Sequence, residues 1–161
     1  CTANRVGEAS EHAMQEAIAS MTMLNKYAAE ICKTYAVHAC TDVTGFGFLG
    51  HLHEMLDGKL SARIDSRHVP VMTEALRHAD EFLLTAAGQR NRNYVKDFVQ
   101  FQNVPFAMEE VLLDPQTSGG LLLAVEPVQA VQLEKELQHA GLPARIVGEI
   151  INKTEPEISV L

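Results

Sequence analysis

The chain has 161 residues and a formal net charge of −8, and 47% of its residues are hydrophobic while 21% are charged. This composition indicates one globular domain with a core rather than a disordered chain. The acidic balance argues against nucleic acid as a main partner, because phosphate binding needs clustered Lys and Arg, and no run is long and apolar enough to span a membrane.

The first residue and the cysteines indicate what kind of protein the chain comes from and in which compartment it is expected. The first residue is Cys1 rather than Met and no signal peptide opens the sequence, so we expect the chain to begin inside a longer protein. The three cysteines form no CxxC pair, and an odd number without a disulfide framework is typical of a reducing cytoplasm. We predict Cys32 and Cys40 to be small buried apolar residues rather than catalytic groups.

Helical spacing dominates the first part of the sequence. Ser10 is a good N-cap, and small and apolar residues recur after it at helical spacing, which predicts one long helix from about Glu11 to Lys33. The prediction then continues with a strand over Val37–Val43, a glycine turn at Gly45–Gly47, a short helix over Phe48–Leu56 and a strand over Leu60–Ile64.

A proline at the start of a pattern predicts two further helices. One begins at Pro70 and runs to about His78. The other begins at Pro127, with Gly141 as its C-cap, and is expected to carry Val128, Val131 and Leu137 inward. Between these helices, the polar run from Gln89 to Asn93 predicts a loop or an exposed turn.

The remaining apolar runs predict strands and complete the fold class. Leu121–Val125 is a continuous apolar run, which is typical of a strand buried on both faces. Two final strands are predicted over Arg145–Ile151 and Glu157–Leu161. Strands and helices mix without strict alternation, so we predict an α+β fold in which a mixed β-sheet of about four to six strands is covered by helices.

The first segment with chemical potential runs from Thr41 to Gly47. Asp42 stands where the predicted strand ends, so its carboxylate can project from the sheet edge. Gly45 and Gly47 allow close backbone approach, and the helix that follows presents free N–H groups that favour an anion such as phosphate. A carboxylate beside such a terminus could hold Mg²⁺ shared with phosphate oxygens. From spacing alone, a tight corner in which Asp42 caps local amides is the preferred interpretation.

The second segment runs from Asp114 to Gly120 and precedes the apolar strand. Its hydroxyl pair, Thr117 and Ser118, and its two glycines, Gly119 and Gly120, could contact a phosphate tail or another domain through the backbone. The simpler interpretation is a turn that begins at Asp114 and feeds the strand, and spacing alone favours this interpretation.

Taken together, these two segments resemble signature stretches of selenophosphate synthetase (selenide, water dikinase). Thr41-Asp42-Val43-Thr44-Gly45-Phe46-Gly47 and Asp114-Pro115-Gln116-Thr117-Ser118-Gly119-Gly120 match that family in order and in their wide spacing. The stretch from Asn4 to Leu24 is similar to the start of the family's C-terminal domain. The resemblance covers essentially the whole chain, residues 1–161, as a single C-terminal domain of a two-domain enzyme.

The resemblance implies a fold, a reaction and a set of site residues. The wider group, which includes aminoimidazole ribotide synthetase, has a C-terminal domain with a mixed sheet covered by helices that is partly ferredoxin-like. The family reaction converts ATP, selenide and water into selenophosphate, phosphate and AMP. By the same resemblance Asp42 is the Mg²⁺ ligand of this domain. The residues expected to shape the nucleotide side of the cleft are Thr44, Gly45, Gly47, Thr117, Ser118, Gly119 and Gly120.

The resemblance also implies what the chain lacks. The remaining metal and ATP ligands, and the catalytic Cys or selenocysteine with its Lys partner, belong to the N-terminal domain, so no catalytic residue is expected in this chain. Cys1 precedes the C-terminal domain helix and lacks the glycine-rich motif of that nucleophile. The expected partners are the N-terminal domain of the same chain and a second copy of the full-length enzyme in a homodimer.

Two alternatives stay open at this point. The chain could belong to another member of the wider group, such as aminoimidazole ribotide synthetase or a thiamine-phosphate kinase. It could instead be an interaction or lid module without chemistry, in which Asp42 only caps a turn. Among other polar residues, we interpret His51 as helix-start packing or capping, His38 as a core or surface residue, and Arg90 and Arg92 as solvated rather than phosphate-binding.

Overall fold

The computed structural model describes residues 2–161, and Cys1 with its prediction lies outside this range. The helices are α1 Thr2–Arg5, α2 Glu11–Thr22, α3 Lys26–Cys32, α4 Gly47–Leu56, α5 Ala75–Asp80, α6 Ala86–Val95, α7 Phe106–Leu113 and α8 Pro127–His139. The strands are β1 Val37–Asp42, β2 Leu60–Ile64, β3 Val99–Phe101, β4 Leu121–Val125, β5 Gly148–Asn152 and β6 Ile158–Val160. No helix within residues 2–161 has the length and apolar character needed to cross a membrane.

The strands divide into two sheets. β1 pairs with β4 in an antiparallel ribbon, and the other four strands form a sheet of order β3-β6-β2-β5. In this second sheet β6 lies parallel to β2 and β3, whereas β2 and β5 are antiparallel. The sheet is therefore mixed and the predicted α+β class is confirmed, although the sequence predicted one sheet where the structure has two.

A leucine-rich core lies between α4, α7 and the four-stranded sheet. Leu49, Leu52, Leu112 and Leu113 of the two helices pack there with Ile158 of β6, and each is at most 1% exposed. Burying one such side chain contributes about 1.5–3 kcal/mol, so this cluster supplies much of the driving force for folding. A smaller cluster joins α3 to α8 and the β1–β4 ribbon. The core thus fixes the position of α4. Its first residue, Gly47, ends the turn that begins after Asp42, and we call the segment from Asp42 to Gly47 the Asp42 corner.

The predicted long first helix is wrong, because the chain breaks between α2 and α3. The Thr22 hydroxyl donates to the carbonyl oxygens of Ile18 at 2.8 Å and Ala19 at 3.2 Å. Met23 then adopts an extended conformation with ψ of 123°. Since a hydroxyl that bonds the preceding turn competes with the backbone ladder, helix α2 ends there. The apolar spacing continues across the break, which is why the sequence pattern concealed it.

Two other predictions in the middle of the chain are also wrong. No helix begins at Pro70, because the Glu16 carboxylate accepts from the Thr73 N–H at 3.0 Å and holds that segment apart from α5. The run Gln89–Asn93 is not a loop but part of α6. Its polar side chains are used inside the domain, since Arg92 and Gln89 both bond Glu110, which is buried. Tertiary partners here override a weak helical pattern.

Three burial predictions need correction. On α8, Val128 is 89% and Val131 is 52% exposed, and the inward positions are Leu133 and Leu137. β4 is partly buried along its whole length rather than buried on both faces, because it pairs only with β1 in a two-stranded ribbon. For the same reason Cys40 is exposed on β1, whereas Cys32 is buried as predicted.

A buried carboxylate ties α4 to the C-terminal strand. Glu157, with 3% of its side chain exposed, accepts from His53 Nδ1 at 2.5 Å and from the Lys153 ammonium. Burial alone would raise the pKa of Glu157, but the hydrogen bonds from Lys153 and His53 together outweigh burial, and the net effect lowers the pKa of Glu157 from its ordinary value. A carboxyl with a lowered folded pKa stabilises the fold at neutral pH.

We therefore expect Glu157→Gln to lower the free energy of unfolding by about 1–2 kcal/mol at pH 7, less than for a fully buried pair because Lys153 is partly solvated. The stabilisation by Glu157 is complete above its unfolded pKa and is lost as pH falls through the lower folded pKa. The difference between wild type and variant should accordingly shrink below about pH 4.5. Urea titrations of both proteins at several pH values measure this difference in the free energy of unfolding. A difference that did not change with pH would contradict the proposed stabilising role of ionised Glu157.

Candidate functional site

The first segment forms a strand–turn–helix corner, as predicted. β1 ends at Asp42 and α4 begins at Gly47. Gly47 has φ of +68°, and a Cβ there would lie 2.8 Å from the carbonyl carbon and oxygen of Leu113. Only glycine can occupy this position without strain, because L-residues disfavour positive φ and backbone atoms cannot yield. The corner is therefore pressed directly against the end of α7.

The second segment lies against the first. The Val43 N–H donates to the carbonyl of Gly120 and the Gly119 N–H donates to the carbonyl of Val43, both at 2.9 Å. The Gln116 N–H donates to the carbonyl of Thr44, also at 2.9 Å. Two segments separated by about seventy residues are thus joined by backbone hydrogen bonds into one surface. Of the residues predicted to bind the cofactor, Gly47 is buried beneath this surface, and the others are exposed or half-buried on it.

Close packing explains the glycines of the second segment. A Cβ at Gly119 would lie 2.7 Å from the carbonyl oxygen of Val43. Ser118 and Gly120 both have positive φ, of 56° and 89°. This left-handed backbone turns the chain back toward β4, so that Leu121 pairs with Asp42. The turn at Thr117–Gly120 is therefore shaped to fit the Asp42 corner.

Asp42 is exposed at the end of β1. Its carboxylate accepts no hydrogen bond from any residue within 2–161, so the interpretation that it caps local amides is not supported. Within the same range, no three His, Cys, Asp or Glu side chains form a cluster able to hold a metal ion. A single free carboxylate suits Mg²⁺, which keeps waters and binds through one or two carboxylates plus phosphate oxygens. The residues present fit a shared Mg²⁺ site rather than a complete one.

Cys40 stands two residues before Asp42 and is a free, exposed cysteine. Although the residue is exposed, partial shielding of its thiol from water, and then the charge of Asp42, raise the pKa of the Cys40 thiol. Because the thiolate is the reactive form, a raised pKa leaves the thiol protonated and unreactive at neutral pH.

Two polar side chains hold the corner, and the sequence identified only one. Asn91 is buried on α6 and its Nδ2 donates to the carbonyls of Gly45 at 3.0 Å and Leu113 at 2.9 Å. It was missed because its polar neighbours predicted a loop. His51 was interpreted as a helix-start cap, and this is confirmed, since Phe46 N–H donates to its Nε2 at 3.4 Å.

The other polar residues considered from the sequence lie apart from this chemistry. His38 is an exposed side chain whose Nε2 lies 2.8 Å from Glu126. Arg92 is engaged by the carboxylates of Glu109 and Glu110 at 3.0 Å and 2.7 Å, so it is not available to phosphate. Neither His38 nor Arg92 is therefore added to the residues of the candidate site.

Asp114 is a structural residue at the end of α7. The Thr85 hydroxyl donates to its Oδ1 at 2.8 Å, while Thr85 Oγ1 also accepts from the Gly88 N–H at 2.9 Å as the N-cap of α6. Burial raises the pKa of Asp114, and the bond from Thr85 offsets this only in part. The ionised carboxylate is therefore less favourable in the fold than in the unfolded chain.

This leads us to expect that Asp114→Asn stabilises the domain at pH 7 by on the order of 1 kcal/mol, because Asn keeps an acceptor for Thr85 without a charge. Because the pKa of Asp114 is raised in the folded state, protonated Asp114 favours folding below the pKa that it has in the unfolded chain. This contribution to the free energy of unfolding is lost as the pH rises through the pKa of the folded state. The gain in the variant should therefore diminish as pH is lowered toward 4. Thermal unfolding followed at pH 7 and pH 4.5 tests this, and a variant less stable at both pH values would disprove it.

An open groove extends from the second segment between the two sheets. It has a volume of about 1680 Å³, and its lining includes Ala13 and Ala17 of α2, Leu122 and Ala124 of β4, and the Thr117–Gly120 turn. α2 has no buried residue at all, although its alanines and methionines line this groove. The domain thus carries an apolar concave surface that reaches the predicted nucleotide side of the corner.

The sequence matches one known protein family along almost its entire length. Residues 2–160 match the family described as AIR synthase related protein, C-terminal domain. The selenide, water dikinase of Agathobacter rectalis is 58% identical over 161 residues, covering 99% of this chain and 47% of the relative. The selenide, water dikinase of Desulfitobacterium hafniense strain Y51 is 45% identical, covering 91% of this chain and 44% of the relative.

Structural comparison supports the fold. The crystal structure of E. coli HypE, a hydrogenase maturation protein, superposes with a TM-score of 0.56 at 18% identity, covering 88% of this chain and 36% of that chain. The chain spans about half the length of the curated relatives that it matches. It belongs to the AIR synthase related family as a C-terminal domain of the kind found in selenophosphate synthetases.

Proposed function

We propose that the chain works as the C-terminal domain of a selenide, water dikinase, which forms selenophosphate, AMP and phosphate from ATP, selenide and water. One observation carries the proposal: the two segments that resemble this family's signatures are hydrogen-bonded to each other beside a free carboxylate, Asp42. Relatives of that name share up to 58% identity over the whole chain.

In this proposal Asp42 holds Mg²⁺ together with phosphate oxygens of ATP. When bound, Mg²⁺ neutralises phosphate charge and aligns the transferred group. Asp42 orients the ion from the end of a paired strand, so its backbone position is fixed by β4. The helix that begins at Gly47 starts five residues after Asp42, and the positive end of its dipole favours a phosphate near this corner.

The remaining predicted residues form the nucleotide side of the cleft. Thr44 and Gly45 supply one strip of this surface, and Gly47, which is buried against Leu113, acts by setting the backbone of the turn beneath it. Thr117, Ser118, Gly119 and Gly120 supply the adjoining strip, and these small residues leave it without bulky side chains. Such a surface lets a phosphate chain approach the backbone closely. The nucleophile and the other ATP and metal ligands are assigned to an N-terminal domain.

The surface of the domain supports that partner. Its accessible area is 9343 Å², whereas a compact protein of this mass exposes about 8,000 Å². The domain also carries the exposed apolar groove, and the relatives are about twice as long as this chain. We assign the groove to the N-terminal domain of the same polypeptide. A homodimer of the full-length enzyme in the cytoplasm completes the proposal.

Phosphorus NMR on the full-length parent tests the proposal. The protein is incubated anaerobically with ATP, Mg²⁺ and selenide, and we expect a selenophosphate signal with AMP and phosphate formed alongside. Folded, ATP-consuming protein that forms no selenophosphate would refute the proposal and indicate another enzyme of the wider group. Aminoimidazole ribotide formation would then be assayed. The isolated 161-residue chain is expected to be inactive toward ATP in the same measurement.

A further inference from the structure

His51 makes contacts on both sides of its ring inside the corner. The residue is buried, with 9% exposed. Its Nε2 lies 3.1 Å from the Thr44 hydroxyl and 3.4 Å from the backbone nitrogen of Phe46. Its Nδ1 lies 3.0 Å from Glu54 Oε2, one helical turn further along α4. Capping of the helix requires only one of these contacts, so the other contacts of the His51 ring need a further explanation.

The partners determine which ring nitrogen carries the proton. A backbone N–H can only donate, so the contact with Phe46 requires a lone pair on Nε2. An ionised carboxylate can only accept, so the contact with Glu54 requires a proton on Nδ1. The Thr44 hydroxyl can do either and therefore donates to Nε2, whose one lone pair it shares with the longer contact from the Phe46 N–H. The neutral imidazole with its proton on Nδ1 satisfies all three contacts.

These bonds reach the two segments of the site at once. Thr44 is two residues beyond Asp42, and its carbonyl accepts the N–H of Gln116 in the second segment. Phe46 is the residue before α4, and its ring lies 5.5 Å from the His51 ring between centroids. Holding Thr44 and Phe46 therefore fixes the turn between Asp42 and the helix start. Both ring nitrogens are occupied, so His51 has none left for a metal ion or substrate.

We propose that His51 is a positioning residue of the nucleotide corner, which acts through Thr44 and Phe46 and fixes the turn from Asp42 to Gly47 for Mg²⁺-ATP. The proposal rests on the proposed function. Side chains that orient a metal or phosphate ligand commonly change affinity by 10- to 100-fold when they are removed. Loss of the Nε2 acceptor should therefore weaken Mg²⁺-ATP binding by about 10-fold or more, while the domain stays folded.

Two amide variants of the full-length enzyme separate positioning from general stability. His51→Gln places an amide oxygen at about the reach of Nε2, whereas His51→Asn reaches only as far as Nδ1. We expect His51→Asn to raise the KM for Mg²⁺-ATP about 10-fold with a smaller change in kcat, and His51→Gln to restore KM to within about threefold of wild type. His139→Gln on α8, an exposed position, is the matched control and should change neither constant.

The protonation state gives a second readout that needs no variant and no turnover. In histidine-labelled full-length protein, two-bond nitrogen–proton NMR correlations should identify His51 as the neutral form protonated on Nδ1. A ring protonated on Nε2, equal losses in the Asn and Gln variants, or an unchanged KM in both would each overturn the proposal. Failure of the proposed function is distinguishable, because it appears as missing selenophosphate in wild type.

Discussion

Asp42→Asn in the full-length protein is expected to lower Mg²⁺-dependent selenophosphate formation by about 100-fold or more. A metal held on transferring phosphate contributes several kcal/mol of charge stabilisation, and about 3 kcal/mol corresponds to roughly 100-fold in rate. Asn keeps the size of the side chain but removes the charge that holds the ion. The fold should be unaffected, because the Asp42 carboxylate is exposed and bonds no residue within 2–161. Initial rates measured across a Mg²⁺ titration reveal the loss.

Asp97→Asn is the matched control for this experiment. Asp97 is another exposed aspartate, which follows α6 and does not line the groove. Its replacement should leave the rate within about twofold, because its side chain forms no ion pair within residues 2–161 and surface substitutions of this kind have small effects. Equal rates for Asp42→Asn and wild type would show that Asp42 holds no metal, and would favour a domain that only covers the site.

Local sequence signals predicted the corner well because its chemistry is local. Each part of the corner is indicated by residues only a few positions away. The strand stops at an acid, the turn contains a glycine with positive φ, and the helix ends at Asp57. The predicted strand and helix around the corner agree with β1 and α4 to within a residue or two. Sequence patterns are informative wherever one residue type is required by its own backbone conformation.

The errors arose where distant residues decide the conformation. Gln89–Asn93 contains nothing apolar enough to show a helix, and the run becomes helical because Glu110, on α7, takes the Arg92 guanidinium. Asn91 was lost from the site for the same reason. The contact between the two signature segments could not be predicted from the sequence either. It is made by backbone hydrogen bonds between Val43 and Gly119, and such bonds require no particular residue type except the glycine.

The burial errors have a different physical cause. An apolar side chain indicates a buried environment but does not say which surface buries it. β4 was predicted to be covered on both faces, yet in this domain it is partly exposed and lines the open groove. If the proposed N-terminal domain fills that groove, the strand sequence is suited to the complete protein rather than to the domain alone.

The second large effect is expected at Gly47, where Gly47→Ala should lower the free energy of unfolding by about 3 kcal/mol. The positive φ costs an L-residue about 1–2 kcal/mol. The new Cβ would in addition lie 2.8 Å from the Leu113 carbonyl, which cannot move without disturbing the core. For a domain of this size the loss corresponds to a fall in Tm of about 6–12 °C. Thermal unfolding of the two proteins under identical conditions gives the comparison.

Gly45→Ala, two residues away in the same turn, separates this steric effect from a general need for glycine. A Cβ at Gly45 meets no atom within 4 Å, and Gly45 does not have a positive φ. Its replacement should leave stability within about 1 kcal/mol of wild type, because alanine also restricts the unfolded chain. If both variants lost the same stability, contact between the corner and α7 would not be what holds the turn. If only Gly47→Ala is affected, the Asp42 corner depends on its packing against Leu113, and the position of the proposed metal ligand is set by the core.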